Sequence, residues 1–386
     1  MKIQIVGPVC GTGYGLTVAH LTYQLSCIFP GQVQLLCMGD PDMSRLPLVV
    51  AECCRKAIVK PEEGRPDFTL CIWHEWDHPP KQFASVRQWM AEKYLALPTF
   101  ELDRVRPEAV EALKKCHEVI VSSSWCQQVL ALQGVEYNVS RIPHHGVDEA
   151  VFQPGNIEAI TKPHGPFRMF NMGKLELRKG HDLCLDLVAA MTKLGIDVQL
   201  WAMWDNPFMD VNSMRWLLAK WAQRSARQFG VDYHELYSKV LIVSGRSEAE
   251  DVAKVINATV AGVYPFRAEG WNLPLLETMA CARPVIATFA TAPVDYLTET
   301  NSYRLEKNTI VPADDGIWFG EGRQEGMWYE PNFEELLQAA CKVQDLWSKG
   351  KLEPNWEGRK TALTYTWKAA AQRLASWLQL EFGSSS

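Results

Sequence analysis

The sequence predicts an α/β protein of two Rossmann-like, doubly wound domains, and three observations predict it. At 386 residues the chain is too long for one ordinary core and suits two domains of roughly 150–200 residues each. Short apolar runs of buried-strand character alternate with helical stretches in both halves. A polar segment containing Pro and Gly, residues 155–166, separates the two series and has the composition of a linker. The expected division is 1–160, 161–355 and a C-terminal helical segment at 356–382.

In the first half an apolar strand at 2–6 runs into Gly7-Pro8-Val9-Cys10-Gly11-Thr12-Gly13-Tyr14-Gly15, then a helix from about 16 to 29. Strand 33–37 ends at Met38-Gly39-Asp40, and residues 48–59 fit either a strand or a short helix. Strand 68–73 has the character of a buried strand and delivers His74-Glu75-Trp76-Asp77 at its carboxyl end. Pro107 opens a helix to 115, and strand 118–121 runs into Ser122-Ser123-Ser124-Trp125. The second half restarts the pattern with strand 167–172, loop 173–180, helix 181–194 and strand 197–203. Strand 240–243 follows, then a helix to 256 opened by the capping box Ser247-x-x-Glu250, and strand 261–264. From 355 onward the chain reads as helical, with Trp367, Leu374, Trp377 and Leu378 as apolar anchors. Sheets of this kind bind ligands beyond the carboxyl ends of their strands, so two such domains face a cleft and the post-strand loops carry the chemistry.

The loop after strand 261–264 is the most informative. It reads Glu269-Gly270-Trp271-Asn272-Leu273-Pro274-Leu275-Leu276-Glu277 and continues to Arg283-Pro284-Val285-Ile286, with two carboxylates eight positions apart. Asn272 is a good N-cap and Pro274 stands near the first helical position, so Glu277 falls in the first turn or just past it. Backbone N–H groups at a helix start, set between two acids, suit a phosphate flanked by hydroxyls. Each acid alone has a plain explanation, as a favourable charge on the helix dipole or a solvated loop residue. The whole string resembles the E-x7-E segment of family-4 type retaining glycosyltransferases of the GT-B fold, without a gap from Glu269 to Ile286.

That resemblance implies two Rossmann-like domains facing a cleft, with the terminal helix crossing back to the first. It implies that Glu277 binds the ribose hydroxyls of a nucleoside diphosphate sugar and Glu269 the transferred hexose. Gly270, Trp271, Asn272 and Leu273 then hold the sugar and the β-phosphate. In Gly173-Lys174-Leu175-Glu176-Leu177-Arg178-Lys179-Gly180, the lysines take the places of two cations that hold the donor diphosphate. The family has Arg where this chain has Lys174, and Lys cannot make the planar bidentate grip of Arg. A His after the third strand faces the transferred sugar in such enzymes, which implicates His74, flanked by Trp73 and Trp76. Gly13 and Gly15 lie in a glycine loop like one that approaches donor and acceptor in the family. Pro143-His144-His145-Gly146-Val147-Asp148 resembles the family's Pro-Asn-Gly-Val-Asp turn. Its two histidines have no carboxylate or Cys at ligand spacing and read as structural, or at most as lining the cleft.

Without the resemblance the residues leave other readings open. The amino-terminal glycine loop followed by Asp40 also suggests a nicotinamide-dependent oxidoreductase, although G-x-G-x-G departs from the G-x-G-x-x-G spacing. A catalytically silent nucleotide-sugar-binding protein would keep the pocket without turnover. Glu101 and Asp103, in a polar stretch, read as solvated. The 15 tryptophans include the groups Trp201 with Trp204 and Trp216 with Trp221, which pack a core or form an acceptor platform.

The formal net charge of −6 gives no overall basic field, so nucleic acid and anionic membrane are not indicated as partners. No stretch reaches the roughly 18 uninterrupted apolar residues of a membrane span. Eleven cysteines, an odd number without a C-x-x-C pair, read as free thiols of a cytoplasmic protein. The expectation is a hexosyltransferase using a nucleotide-sugar co-substrate, UDP-sugar before GDP-mannose, with no other cofactor and no metal. Its acceptor is a hydroxyl, by default of a saccharide or glycoconjugate, with a modified nucleobase left open.

Overall fold

The computed structural model describes residues 2–60, 66–74, 86–243, 248–323 and 325–382. They form two compact units. The first runs to Asp148 and takes in the C-terminal segment from Thr364, and the second runs from Glu149 to Arg323 and from Met327 to Leu363.

The first unit contains β1 (Ile3–Gly7), α1 (Gly13–Ile28), β2 (Val33–Cys37), α2 (Leu48–Ala57), β3 (Phe68–His74) and β4 (Tyr94–Thr99). It continues with α3 (Pro107–Leu113), β5 (Glu118–Val121), α4 (Ser124–Leu132) and β6 (Val139–Arg141). All strands are parallel in the order β2-β1-β3-β4-β5-β6. Helix α1 begins earlier than the sequence suggested, because Thr12 caps it and accepts from the Gly15 amide at 3.4 Å. Residues 48–59, left open between strand and helix, form α2. Strand β4 escaped the sequence reading: Pro98 lacks an N–H and argues against a central strand.

The second unit contains α5 (Glu158–Thr161), β7 (Phe167–Lys174), α6 (His181–Lys193), β8 (Val198–Asp205), α7 (Val211–Phe229), α8 (Tyr233–Ser238) and β9 (Val240–Ile242). After these come α9 (Ala249–Asn257), β10 (Ala261–Tyr264), α10 (Leu273–Ala280), β11 (Val285–Thr288), β12 (Tyr303–Leu305), β13 (Asn308–Pro312), β14 (Met327–Pro331), α11 (Phe333–Ser348) and α12 (Trp356–Thr364). Its sheet is parallel in the order β12-β11-β10-β7-β8-β9. Counted within the unit, this is the Rossmann order, with the direction of winding reversing between β7 and β10. Strands β13 and β14 form a separate antiparallel pair.

Three features of the second unit differ from the sequence reading. The stretch taken as a linker is packed: Ile160 lies in the core, and Trp347 Nε1 donates to the Ala159 carbonyl at 2.9 Å. Arg283, fully buried, donates to the carbonyls of Gly155, Asn156, Asn257 and Thr259, which anchors the start of that stretch. The β13–β14 pair was not foreseen, since the long segment between its strands offers none of the two-residue turn signals of a tight hairpin. Ser247 of the expected capping box lies outside the described residues, and α9 has Glu248 at its cap without a side-chain hydrogen bond.

The final helix, α13 (Trp367–Phe382), belongs to the first unit. Leu374 and Leu378 are fully buried in its core beside Leu21 and Leu25 of α1. Trp367 stacks on His20 of α1, with centroids 4.6 Å apart and planes 5° from parallel. Burial pushes His20 down to about 3 and His144 down to about 4, and holds His145 well below the usual histidine value. These rings are neutral in the fold. Their contribution to stability is complete above the ordinary histidine pKa near 6.5 and is lost as pH falls from there toward the folded values. At pH 5 the loss is on the order of 2 kcal/mol for each of His20 and His144. Thermal melts at pH 7.5 and 5 will therefore show a lower Tm at pH 5. His20→Phe, which keeps an aromatic ring on Trp367, will reduce that pH dependence.

Candidate functional site

In the second unit the reversal of winding leaves the carboxyl ends of β7 and β10 side by side, where parallel sheets place ligands. Lys174 is the last residue of β7, a turn of 3-10 helix covers Leu177–Lys179, and Gly180 starts α6. Gly180 has φ 73°, and a Cβ there would stand 2.0 Å from the Pro265 carbonyl oxygen. Only glycine allows the β7 loop to lie this close to the β10 loop.

The two loops are joined through charge. Lys179 Nζ lies 2.6 Å from Glu269 Oε1, and Lys174 Nζ lies 2.6 Å from Glu176 Oε1. Between these pairs stands Arg178, buried, donating to Glu176 Oε2 at 3.0 Å, to the Ala268 carbonyl at 2.7 Å and to Glu269 Oε2 at 3.4 Å. A second buried arginine, Arg267, donates to both carboxylate oxygens of Asp182 at 2.8 and 3.0 Å and to the Leu177 carbonyl at 2.6 Å. Its remaining donors reach Glu330 of β14 at 2.5 and 2.8 Å. Carboxylates beside Arg267 hold its guanidinium firmly charged despite burial. His181 opens α6 beside these cations. Burial first, then Lys179, Arg178 and Arg267, push its pKa well down, and the neutral ring stacks on Trp204 at 4.6 Å.

On the β10 side the Glu269 amide donates to Thr291 Oγ1 at 3.1 Å. Asn272, in the left-handed region at φ 70°, caps α10 by accepting from the Leu275 amide at 3.2 Å. Trp271 is buried against Tyr296, whose hydroxyl donates to the Trp271 carbonyl at 2.6 Å. Glu277 is half-buried in α10, just past its first turn. The structure thus brings Lys174, Lys179 and Glu269 into one cluster, and Gly270, Trp271, Asn272 and Leu273 carry the Glu269 loop into α10, on which Glu277 lies. The sequence reading missed Arg178, Glu176, Arg267 and Asp182. Arg178 stands beside Lys179 in the same loop, but a cation there signals nothing until its burial is known.

In the first unit the winding reverses between β1 and β3, which sets the glycine loop next to His74. Tyr14 lies 6.1 Å from both the Trp73 and His74 rings. Gly15 is needed for packing, since a Cβ there would meet the Cys10 carbonyl oxygen at 2.4 Å, while Gly13 is exposed at the start of α1. His74 Nε2 lies 2.9 Å from Glu101 Oε2. Glu101, read from sequence as solvated, is buried, because Phe100 and Leu102 on either side go into the core. Glu75, Trp76 and Asp77 lie outside the described residues. His144 and His145 are buried on Ser122 Oγ, at 3.2 and 2.6 Å, in keeping with a structural role. Trp204 and Trp221 are core residues, Trp201 is half-buried and Trp216 is exposed. A cavity of about 860 Å³ lined by residues of β12, α11 and α12 contains none of the site residues.

Residues 166–317, within the second unit, match the family profile described as "Glycosyl transferases group 1". Among solved structures, sucrose-phosphate synthase from Thermosynechococcus elongatus matches over 100% of both chains at 16% identity, with a TM-score of 0.69. The lipopolysaccharide outer core galactosyltransferase WaaB in its apo form matches at 15% identity over 99% of this chain and 100% of its own, with a TM-score of 0.64. The fold is GT-B. HepE of Anabaena, solved in complex with UDP, shares this GT-B fold at 14% identity over 98% of this chain and 100% of its own, TM-score 0.63. No curated protein matches the sequence. Within the GT-B fold, the charged cluster at β7 and β10 lies in the part that the family profile covers. No helix among the described residues is long and apolar enough to cross a membrane.

Removing Arg178 leaves two buried carboxylates short of a partner, so Arg178→Ala will destabilise the protein by about 3–5 kcal/mol. Chemical denaturation measures this. Gly180→Ala will also lower stability, through strain at positive φ and the clash with Pro265; a thermal melt at the wild-type Tm would contradict the steric argument.

Proposed function

We propose that this chain is a retaining, metal-independent glycosyltransferase that moves a hexose from a nucleoside diphosphate sugar to a hydroxyl acceptor. UDP-sugar is the favoured donor, GDP-mannose the second, and a saccharide or glycoconjugate the favoured acceptor. The observation that supports this reading is the run of alternating charges Lys174, Glu176, Arg178, Glu269 and Lys179 at the β7–β10 switch point, inside the family match. Three cations against two carboxylates leave one positive charge in excess, which suits a diphosphate. The solved complexes of HepE with UDP and with UDP-glucose lend the donor class its support.

In this reading Lys174 and Lys179 neutralise the charge that grows on the diphosphate as the glycosidic bond breaks, an interaction stronger in the transition state than before it. Glu269, paired with Lys179 and Arg178, accepts from hydroxyls of the transferred sugar. Glu277 accepts from the ribose hydroxyls, and the amides from Gly270 to Leu273 hold the sugar and β-phosphate at the start of α10. The acceptor hydroxyl attacks on the side of the leaving group and passes its proton to the departing phosphate oxygen, so no protein nucleophile is required. By the resemblance His74, paired with Glu101 in the first unit, is the histidine assigned to the transferred sugar.

A thermal-shift screen with UDP-, GDP-, ADP- and TDP-sugars and NAD tests the donor. At a hundredfold excess over Kd a true ligand stabilises by about 2.7 kcal/mol, and a shift with NAD alone would overturn the proposal. With the donor so identified, Lys179→Ala and Glu269→Ala will each slow transfer by about 100- to 1000-fold. Full activity in both would show that the site is elsewhere. NMR of the fresh product reads the anomer directly, and inversion would refute the retaining course.

A further inference from the structure

Lys174 has neighbours that the donor reading does not use. Its ammonium lies 5.3 Å from the centroid of the Phe208 ring and 6.0 Å from that of Trp318. The two rings stand nearly edge to face, 6.2 Å apart and 69° between planes, and form a corner beside the cation. Phe208 is 55% exposed, an unusual state for a phenylalanine on an ordered loop. Trp318 is half-buried, with its indole Nε1–H on the enclosed side of the ring and without an acceptor among the described residues.

Both rings are held by their loops. Asn206, fully buried, donates to the Leu175 carbonyl at 3.2 Å and accepts from the Phe208 amide at 3.0 Å. Asp315 accepts from the amides of Ile317, Trp318 and Phe319 at 2.9, 2.7 and 2.9 Å, and Phe319 is buried against Trp328. A pre-set, exposed aromatic surface with an adjacent ammonium is the equipment of a carbohydrate site. The C–H face of a sugar ring packs on the arene while the ammonium donates to its hydroxyls.

We infer that the Phe208–Trp318 corner is an acceptor subsite that takes a saccharide ring. The inference rests on the glycosyltransferase reading for the word acceptor. If Lys174 holds the phosphate that departs, whatever packs within a ring's width of it stands at the reacting end of the donor. The nucleobase is a ribose and a second phosphate away from that end. The transferred hexose is already assigned to Glu269 on the β10 loop, so the ring on Phe208 is the incoming saccharide, and the transferase acts on carbohydrate rather than on a protein, lipid or nucleobase hydroxyl.

Saturation-transfer NMR on the full chain tests this with UDP and the methyl glycosides of glucose, galactose, mannose and N-acetylglucosamine. Wild type is expected to give signals from UDP and from at least one glycoside. Phe208→Ala is expected to lose the glycoside signal at least tenfold and keep that of UDP, whereas Lys179→Ala loses UDP. Glycoside signals absent from wild type, or unchanged in Phe208→Ala, overturn the inference. Loss of the uracil proton signals in Phe208→Ala overturns it as well, since the corner would then hold the base. If the glycosides behave as expected but neither UDP nor any other nucleotide binds wild type, the transferase reading fails while the saccharide site stands.

Discussion

Buried carboxylates must be paired, and that constraint governs the second unit. Glu269 and Glu176 are both almost wholly removed from solvent at the end of a parallel sheet, where an unpaired charge would shift or expel itself. Arg178 lies between them and meets both. Because Glu269 follows β10 and Arg178 follows β7, satisfying the charges also fixes two loops against each other. The left-handed turn at Gly180 supplies the close approach that makes this possible. The site is thus organised before any ligand arrives, the condition under which fixed charges act most strongly on a developing one. Lys174 and Lys179 lie at the two ends of this array and are more exposed than its centre, as groups that must meet a ligand have to be.

Much of this was legible in the sequence. Apolar strands of four to eight residues, alternating with helical stretches, marked the parallel sheets. Asn272 and Pro274 marked the start of α10 through side-chain and ring chemistry that acts locally. Lys174, Lys179 and Glu269 were visible as types at a spacing. What escaped depends on long-range burial. Arg178 and Arg267 look like solvated loop cations until the fold closes over them, and Glu101 looks like an exposed acid until Phe100 and Leu102 draw it inward. Strand β4 was hidden by Pro98, which a local rule excludes from central strands and this sheet accommodates. The capping interaction of Asn206 that presents Phe208 spans a strand end and a neighbouring loop, and no periodicity announces it.

The first unit solves a different problem. Part of its polar interior at the strand ends is built from neutral rings and a hydroxyl, with His144 and His145 on Ser122. Such a network keeps its shape only while the rings stay unprotonated, because burial and not a counter-charge holds them neutral.

Glu330 carries a consequence for how such a protein diverges. It sits on a strand pair that is no part of either main sheet, yet it grips Arg267, and the Tyr329 amide donates to the Arg267 carbonyl at 2.9 Å. The backbone two residues before Glu269 is therefore fastened to an appendage. Lineages that trim, lengthen or replace the hairpin must supply another anion to Arg267 or forfeit the alignment of the loop beneath it. The appendage is bound at its root through Arg267 and at its far end through the turn that holds Trp318.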